Sequence, residues 1–259
     1  MGKDGSRRAI EGTCLLSEAL NEAVSVLAPV AAPAVEPRRQ TIFGRSRGKR
    51  LREYHARLVR ELLPRFEVGR ADLADPGGLF PAPTREFWLE IGFGGGEHLV
   101  REATTRPNIG FVGCEPFVNG VAKLLANIDR LSLSNVRIHS GDAGVLVASM
   151  PDHFVSRAFC LYPDPWPKRR HNKRRIISAE FIDNLGRVMR PGAQLLFATD
   201  VDDYCGWALQ RFLDSTAFSW QSRLSSDWLK PWPGWRPTRY EAKAQREGRT
   251  SSYLTFWRV

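Results

Sequence analysis

The stretch Phe87-Trp88-Leu89-Glu90-Ile91-Gly92-Phe93-Gly94-Gly95-Gly96-Glu97-His98 decides the fold. An apolar run ends next to a carboxylate, breaks into a glycine-rich turn, and restarts as a helix that the pattern predicts to reach about Thr104. Strand, glycine turn and helix in that order open a βαβ unit, where glycine lets the backbone approach a ligand closely. The alternation continues downstream. Ile109–Cys114 reads as a second strand ending at Glu115, with a helix from about Phe117 to Leu131. Asn135–His139 reads as a third, ending at Ser140-Gly141-Asp142-Ala143, and Val155–Leu161 as a fourth. A helix from Ser178 to Met189, expected to end at Pro191-Gly192, precedes a fifth strand at Gln194–Ala198, which closes on Thr199-Asp200. After a helix from about Tyr204 to Ser215, the segments around Phe218–Leu224 and Ser252–Arg258 suit a closing antiparallel pair. Repeated alternation predicts an α/β fold: a Rossmann-like, mainly parallel seven-stranded sheet with helices on both faces and an antiparallel hairpin.

The glycine turn selects among ligands. A dinucleotide site would prefer G-x-G-x-x-G to seat a pyrophosphate, but Gly92, Gly94 and Gly96 give G-x-G-x-G, and Glu97 takes the third-glycine position. No Walker lysine follows. Glu90, just before the turn, would repel phosphate and welcome a cation. S-adenosylmethionine carries an ammonium and a sulfonium and no phosphate. Glu115 lies 23 residues after Gly92, near the spacing of about 20 expected for an acid that grips ribose hydroxyls. Asp142 ends the third strand and could accept from an adenine amino group. Each acid alone is commonly a helix cap or turn former. Three at successive strand ends, beside these glycines, point to an S-adenosylmethionine site.

The fourth strand runs into Leu161-Tyr-Pro-Asp-Pro-Trp-Pro-Lys-Arg-Arg-His-Asn-Lys-Arg-Arg175. Prolines 163, 165 and 167 forbid helix and deny a sheet its donors, so Asp164, Trp166 and Lys168 sit on a stiff, extended loop. A carboxylate beside an indole suits a flat ligand with N–H donors. Six Lys or Arg within the next eight residues suit phosphates. The alternative is a surface loop with a solvated charge run, but its place at the carboxyl end of a strand is where open α/β sheets bind ligands.

Charge is concentrated in two places. The 259-residue chain carries a formal net charge of +10; Glu36–Arg70 contributes +7 and Leu161–Arg175 contributes +5, leaving the remainder slightly acidic. Two basic segments on a near-neutral body favour a polyanionic partner. Phe43–Leu51 is a basic arm. A helix from about Leu51 to Leu63, stopped at Pro64, is expected to pack Leu51, Tyr54, Leu58 and Leu62 and to expose arginines to solvent or to phosphate. Cys14, Cys114, Cys160 and Cys205 lie far apart with no metal-ligand spacing, and Cys114 and Cys160 fall in apolar strand patterns as core thiols. No apolar run approaches the ~20 residues of a membrane span. Glu11, Glu18 and Glu22 interrupt any signal-peptide apolar region, so a cytoplasmic location is expected.

Glu-Ile-Gly-Phe-Gly at 90–94, Gly-Asp-Ala at 141–143, Pro-Asp-Pro-Trp-Pro-Lys at 163–168, Thr-Asp at 199–200 and Thr-Arg-Tyr-Glu at 238–241 resemble the bacterial tRNA (guanine-N7)-methyltransferases. The resemblance spans about Phe43 to the C-terminus, and the proline loop is its most specific part. It implies a class I methyltransferase fold, S-adenosylmethionine as cofactor, and methylation of guanine 46 in the tRNA variable loop. It implies cofactor contacts from Glu90, Gly92, Gly94, Glu115, Asp142 and Asp164, with Asp164 the catalytic position. It places Lys168, Asp200, Thr238, Arg239, Tyr240 and Glu241 on substrate, and Arg170, His171, Asn172, Lys173, Arg174 and Arg175 along RNA. The expected partner is tRNA, with no membrane and no metal, and the chain acting as monomer or homodimer.

The chemistry of the residues agrees. Guanine N7 is a neutral lone pair, so its methylation needs alignment more than a general base, and positioning can supply ~7–11 kcal/mol. A carboxylate near the migrating positive charge stabilises it. Two rival functions remain: an amino-group methyltransferase on adenine or cytosine of nucleic acid, and a non-catalytic RNA-binding module. The tryptophans Trp228, Trp232 and Trp235 serve packing or base stacking.

Residues 1–40 are expected to be a flexible extension, with 41–259 the catalytic domain, because prolines 29, 33 and 37 interrupt the one helical pattern. Deleting residues 1–37 is therefore expected to leave cofactor affinity and tRNA methylation largely intact. A truncated protein that binds cofactor normally yet no longer methylates tRNA would assign the extension a role in substrate capture.

Overall fold

Apolar residues along β1 (Glu86–Ile91) alternate between two cores. Phe87, Leu89 and Ile91 enter one; Trp88 enters the other. The computed structural model describes residues 43–44, 46–74, 76–81, 84 and 86–259, so the extension expected at 1–40 lies outside the described residues, as does Cys14. β2 (Ile109–Cys114), β3 (Val136–His139), β4 (Val155–Leu161) and β5 (Met189–Thr199) join β1 in parallel. β7 (Ser252–Arg258) lies antiparallel to β5, and β6 (Phe218–Trp220) antiparallel to β7. The sheet order is β3-β2-β1-β4-β5-β7-β6. The chain steps outward from β1 to β3, then returns to the other side of β1 as β4. That reversal opens a crevice at the carboxyl ends of β1 and β4.

The first core packs Val112, Cys114, Ala158, Cys160, Leu195 and Phe197 of the sheet against the helices Ala143–Ser149, Ala179–Val188 and Asp202–Leu213. The second packs Phe111, Ile138, Phe159 and Leu196 against the helices Glu53–Glu61, Glu97–Thr105 and Val118–Leu131. Cys114 and Cys160 are fully buried thiols, as the strand pattern implied, and burial pushes the Cys160 thiol up to about 12.

Four local expectations are corrected. The helix after Ser178 stops at Val188, and β5 already begins at Met189, running through Pro191-Gly192. Its register against β4 shifts between Val155 and Arg157, so this irregularity takes up the proline, which has no N–H, and Gly192 at φ 79°. Pro64 does not stop a helix; it sits in the first turn of a second short one, Leu63–Phe66, where a missing N–H costs nothing. Of the face expected on the first helix, Leu58 is buried but Tyr54 is exposed. β6 covers three residues only, and a four-residue helix, Ser226–Leu229, lies in the connection to β7.

Asn135 locks the far end of the β1–β2 crossover. Its buried Nδ2 donates to the carbonyls of Ala103 (3.0 Å), Arg106 (3.1 Å) and Ile109 (3.0 Å), joining the end of one helix to the start of β2. Asn135→Ala leaves these carbonyls without their donor and is expected to cost roughly 1–3 kcal/mol. Urea denaturation checks this; stability equal to wild type would show that water replaces the amide.

Candidate active site

The glycine turn is built from left-handed backbone. Gly92, Gly94 and Gly96 adopt φ of 72°, 57° and 78°, a region that other residues enter only at a cost. A Cβ added at Gly92 would meet nothing within 4 Å, so the turn opens onto free space there. Glu115 reaches back from the end of β2. Its Oε2 accepts Gly94 N–H at 2.7 Å and its Oε1 accepts Phe117 N–H at 2.9 Å. Burial raises the Glu115 pKa, the two amides oppose that rise, and Asp164 adds to it across the crevice. Glu90, at 4% exposure, takes a contact that the sequence reading missed: its Oε2 lies 2.7 Å from Nδ1 of His98, equally buried, on the helix that follows the turn. A buried carboxylate requires a partner, and His98 in the first helical turn was the available signal. Asp142 is part-buried and caps the helix Ala143–Ser149, its Oδ1 accepting Val145 N–H at 3.1 Å.

The proline loop holds its shape by several ties. Tyr162 and Trp166, on either side of Asp164, adopt φ of 52° and 44°. Such conformations cost of order 1–3 kcal/mol each and survive only where the surroundings over-determine them. Tyr162 N–H donates to Ala198 O at 2.8 Å, and its hydroxyl to Ser251 Oγ at 3.0 Å. The Arg174 guanidinium lies 5.0 Å from the Trp166 ring centre, and His171 meets that ring edge-on at 6.0 Å. Asp164 itself is exposed, with its pKa raised by the protein that walls the crevice. The basic arm also reaches this point: a Cβ at Gly44 would lie 3.3 Å from Asp164 Oδ2. Val118 N–H donates to Ser46 O at 3.0 Å, and Gly48 N–H to Asn119 Oδ1 at 2.8 Å.

The basic run forms a 3-10 helix, Arg169–Arg174, and it divides. Lys168, Arg169, Arg170 and Lys173 are exposed, whereas Arg175 is 3% exposed. Arg175 donates through Nε to Pro165 O at 2.8 Å and pairs with Asp203, so the expectation that it lies along RNA is not met by its position.

Thr238–Glu241 starts a helix, Arg239–Arg246. Thr238 Oγ1 accepts Glu241 N–H at 3.2 Å, the N-cap half of a Thr-x-x-Glu capping box, whose Glu side chain is used elsewhere. Glu241 turns inward at 2% exposure, where its Oε2 accepts from Trp235 Nε1 (2.7 Å) and its Oε1 from the Tyr253 hydroxyl (2.6 Å). The resemblance implies a substrate contact for Glu241; both its carboxylate oxygens are engaged inside the protein. Burial, with the Glu241 carboxylate beside it, pushes the Tyr253 phenol up to about 12. Arg239 and Tyr240 point the other way, onto the glycine turn: Cβ atoms at Gly94 and Gly95 would each lie 3.0 Å from the Arg239 guanidinium, which pairs with Glu97 at 3.2 Å. Asp200 accepts from Arg249 Nε at 2.7 Å. Trp232 and Trp235 pack edge-on at 5.3 Å, each also against Tyr253. The structure thus gathers Gly92, Gly94, Glu115, Asp164, Arg239 and Tyr240 at one crevice. Among the described residues no cluster of three or more His, Cys, Asp or Glu could hold a metal.

The sheet order with its reversed seventh strand defines the class I methyltransferase fold. The crystal structure of the aminoglycoside resistance methyltransferase NpmB1 shares it at a TM-score of 0.51 and 15% identity, over 74% of this chain and 94% of that one. A family model described as "Putative methyltransferase" matches residues 84–254. The curated tRNA (guanine-N(7)-)-methyltransferase of Nitrobacter hamburgensis is 44% identical over 88% of this chain and 90% of its own. That of Rhizobium etli is 46% identical over 85% and 96%. This chain belongs to the tRNA (guanine-N7)-methyltransferase family.

Glu241→Ala orphans the buried Tyr253 hydroxyl and the part-buried Trp235 Nε1, so it is expected to cost roughly 1–3 kcal/mol in urea denaturation. A variant of wild-type stability with impaired substrate binding would return Glu241 to the substrate.

Proposed function

We propose that this protein methylates N7 of a guanine in tRNA, guanine 46 of the variable loop, with S-adenosylmethionine as donor. The residues present fit that cofactor. The space above Gly92 is open, and Glu115 spends one hydrogen bond per oxygen on backbone amides, which leaves lone pairs for ribose hydroxyls. Asp142 keeps its second oxygen for an adenine amino group, and Arg239, over Gly94 and Gly95, offers a cation to the methionyl carboxylate. When bound, the cofactor supplies an electrophilic methyl on a positively charged sulfur.

The observation that carries the reading is the placement of Asp164. Its backbone is preset by two prolines and by left-handed residues two positions away on each side, and its carboxylate opens to the crevice at the carboxyl end of β4. An ionised carboxylate accepts the N1–H and N2–H edge of guanine, which orients N7. It also puts negative charge opposite the positive charge that builds on the purine. Guanine N7 needs no base to deprotonate it, so Asp164 works as an orienting acceptor and a fixed field. The exposed Lys168, Arg169, Arg170 and Lys173 lie where a phosphate backbone would run on leaving the site.

Asp164→Asn nearly conserves shape, removes the charge and turns one acceptor into a donor that faces guanine's own donors. Both it and Asp164→Ala are expected to lower single-turnover methylation at saturating tRNA and cofactor by about 10²–10³, with tRNA affinity retained. The pKa of Asp164 is raised, so on acidification it takes up a proton earlier than an ordinary aspartate. Wild-type turnover should therefore decline with falling pH at values above the usual aspartate range, and Asp164→Asn should lose this limb. Near wild-type rates in both variants would make Asp164 a loop-shaping residue and remove the active centre assigned to it.

A further inference from the structure

Arg175 ends the basic run but faces the protein interior. Its Nε donates to Pro165 O at 2.8 Å, and its Nη2 pairs with Asp203 on the helix Asp202–Leu213. The guanidinium lies 4.9 Å from the Tyr204 ring centre and 5.2 Å from that of Trp207, and Nη1 is buried without a protein partner. Pro165 follows Asp164 directly. It has no N–H, so its carbonyl is the only backbone group through which that residue can be held. We infer that Arg175 is a positioning residue for methyl transfer: through the Pro165 carbonyl it fixes the peptide next to Asp164, and it makes no contact with the tRNA backbone.

The chemistry of arginine suits this task. Its planar fork presents Nε–H and Nη–H in fixed directions, here one to the loop and one to the carboxylate of the next helix, whereas a lysine ammonium is a flexible point charge. Tyr162 and Trp166 hold left-handed strain on either side of Asp164, and a loop so strained relaxes when a tie is cut. Because the guanidinium is buried, it gains nothing from counterion release on RNA, in contrast to the exposed Arg170 and Lys173.

The test compares Arg175→Gln, Arg175→Lys, Asp203→Asn and the double variant Arg170→Ala/Lys173→Ala. The readouts are hydrogen exchange of the peptide 161–169, single-turnover methylation at saturating tRNA and S-adenosylmethionine, and tRNA affinity against salt. Arg175→Gln should speed exchange in 161–169, leave the β1 and β2 peptides unchanged, and slow turnover roughly ten- to hundredfold. It should keep the wild-type salt slope. Arg175→Lys, which keeps the charge and loses the fork, should be similarly slow. The double variant should keep the wild-type exchange in 161–169 and show a log–log slope smaller by roughly 1.4–1.8 at about 0.7–0.9 per contact. Should Arg175→Gln fail to fold, Arg175→Lys and Asp203→Asn still decide. The Asp203 side chain is 69% exposed, so its substitution leaves the packing in place, and it should loosen 161–169 to a lesser degree. Unchanged exchange in both, full rescue of turnover by lysine, or a salt slope smaller by about 0.7–0.9 in Arg175→Gln would each overturn the inference. The turnover and salt arms rest on the proposed tRNA activity. Absence of methylation by the wild type would fail that reading alone, because the exchange arm judges the staple without any substrate.

Discussion

Everything at the crevice depends on Glu115 accepting two backbone amides, one from the glycine turn after β1 and one from the residue that leads into the helix after β2. A carboxylate at 8% exposure needs replacement for lost water, and these two N–H groups supply part of it. The turn therefore cannot move independently of β2. The fit is tight from the opposite side too, because any side chain at Gly120 would strike the Gly94 carbonyl. One carboxylate thus both builds the wall and keeps lone pairs pointed into the space it encloses.

The second wall is held differently. No hydrogen-bond ladder supports the segment after β4, since three of its residues are prolines. Its shape comes from ties to other elements: the Tyr162 hydroxyl to Ser251, the Pro165 carbonyl to Arg175, and the Trp166 ring under Arg174. Such a loop is rigid where it is tied, and the same ties hold Tyr162 and Trp166 in their left-handed conformations. Under the proposed function this rigidity matters, because a carboxylate that aligns a base would lose most of its effect on wandering by an ångström. The capped helix Arg239–Arg246 extends the same logic. Glu241 anchors it from inside, and Arg239 and Tyr240 are thereby held over the glycine turn.

Much of the sheet was legible in the sequence because period and punctuation agreed. Ile109–Cys114 and Val155–Leu161 are bounded by turn chemistry at both ends, and the structure keeps those bounds. The helix Ala143–Ser149 was passed over because it is short and nearly all apolar or small, so it has no polar face to reveal a period. β5 was read too short because Pro191-Gly192 normally punctuates, whereas here a register shift absorbs it. At the site, residue type singled out Glu115 and Asp164, which the structure brings to one crevice. It could not report direction. Glu241 and Arg175 are charged residues beside functional motifs, and both point inward, which only the positions of Trp235, Tyr253 and Asp203 decide. The Thr-x-x-Glu spacing at 238–241 did carry a readable capping signal.

Net charge and site charge run in opposite senses, and together they act as a filter. The chain is +10 overall, with exposed cations at Lys168, Arg169, Arg170 and Lys173 beside the crevice. The crevice itself is lined with carboxylates from Glu115 and Asp164, with the Arg239 guanidinium over the glycine turn at one side. A polyanion is drawn to the rim by the long-range field but gains nothing by pushing phosphate further, where like charge and desolvation oppose it. Under the proposed function, the carboxylates favour groups that donate hydrogen bonds or carry positive charge, a guanine edge or a sulfonium, while Arg239 over the glycine turn takes the methionyl carboxylate. On that same reading, phosphate would stay outside as a handle while the base goes in, so the arrangement that captures the nucleic acid would also order which part of it reaches the reacting centre.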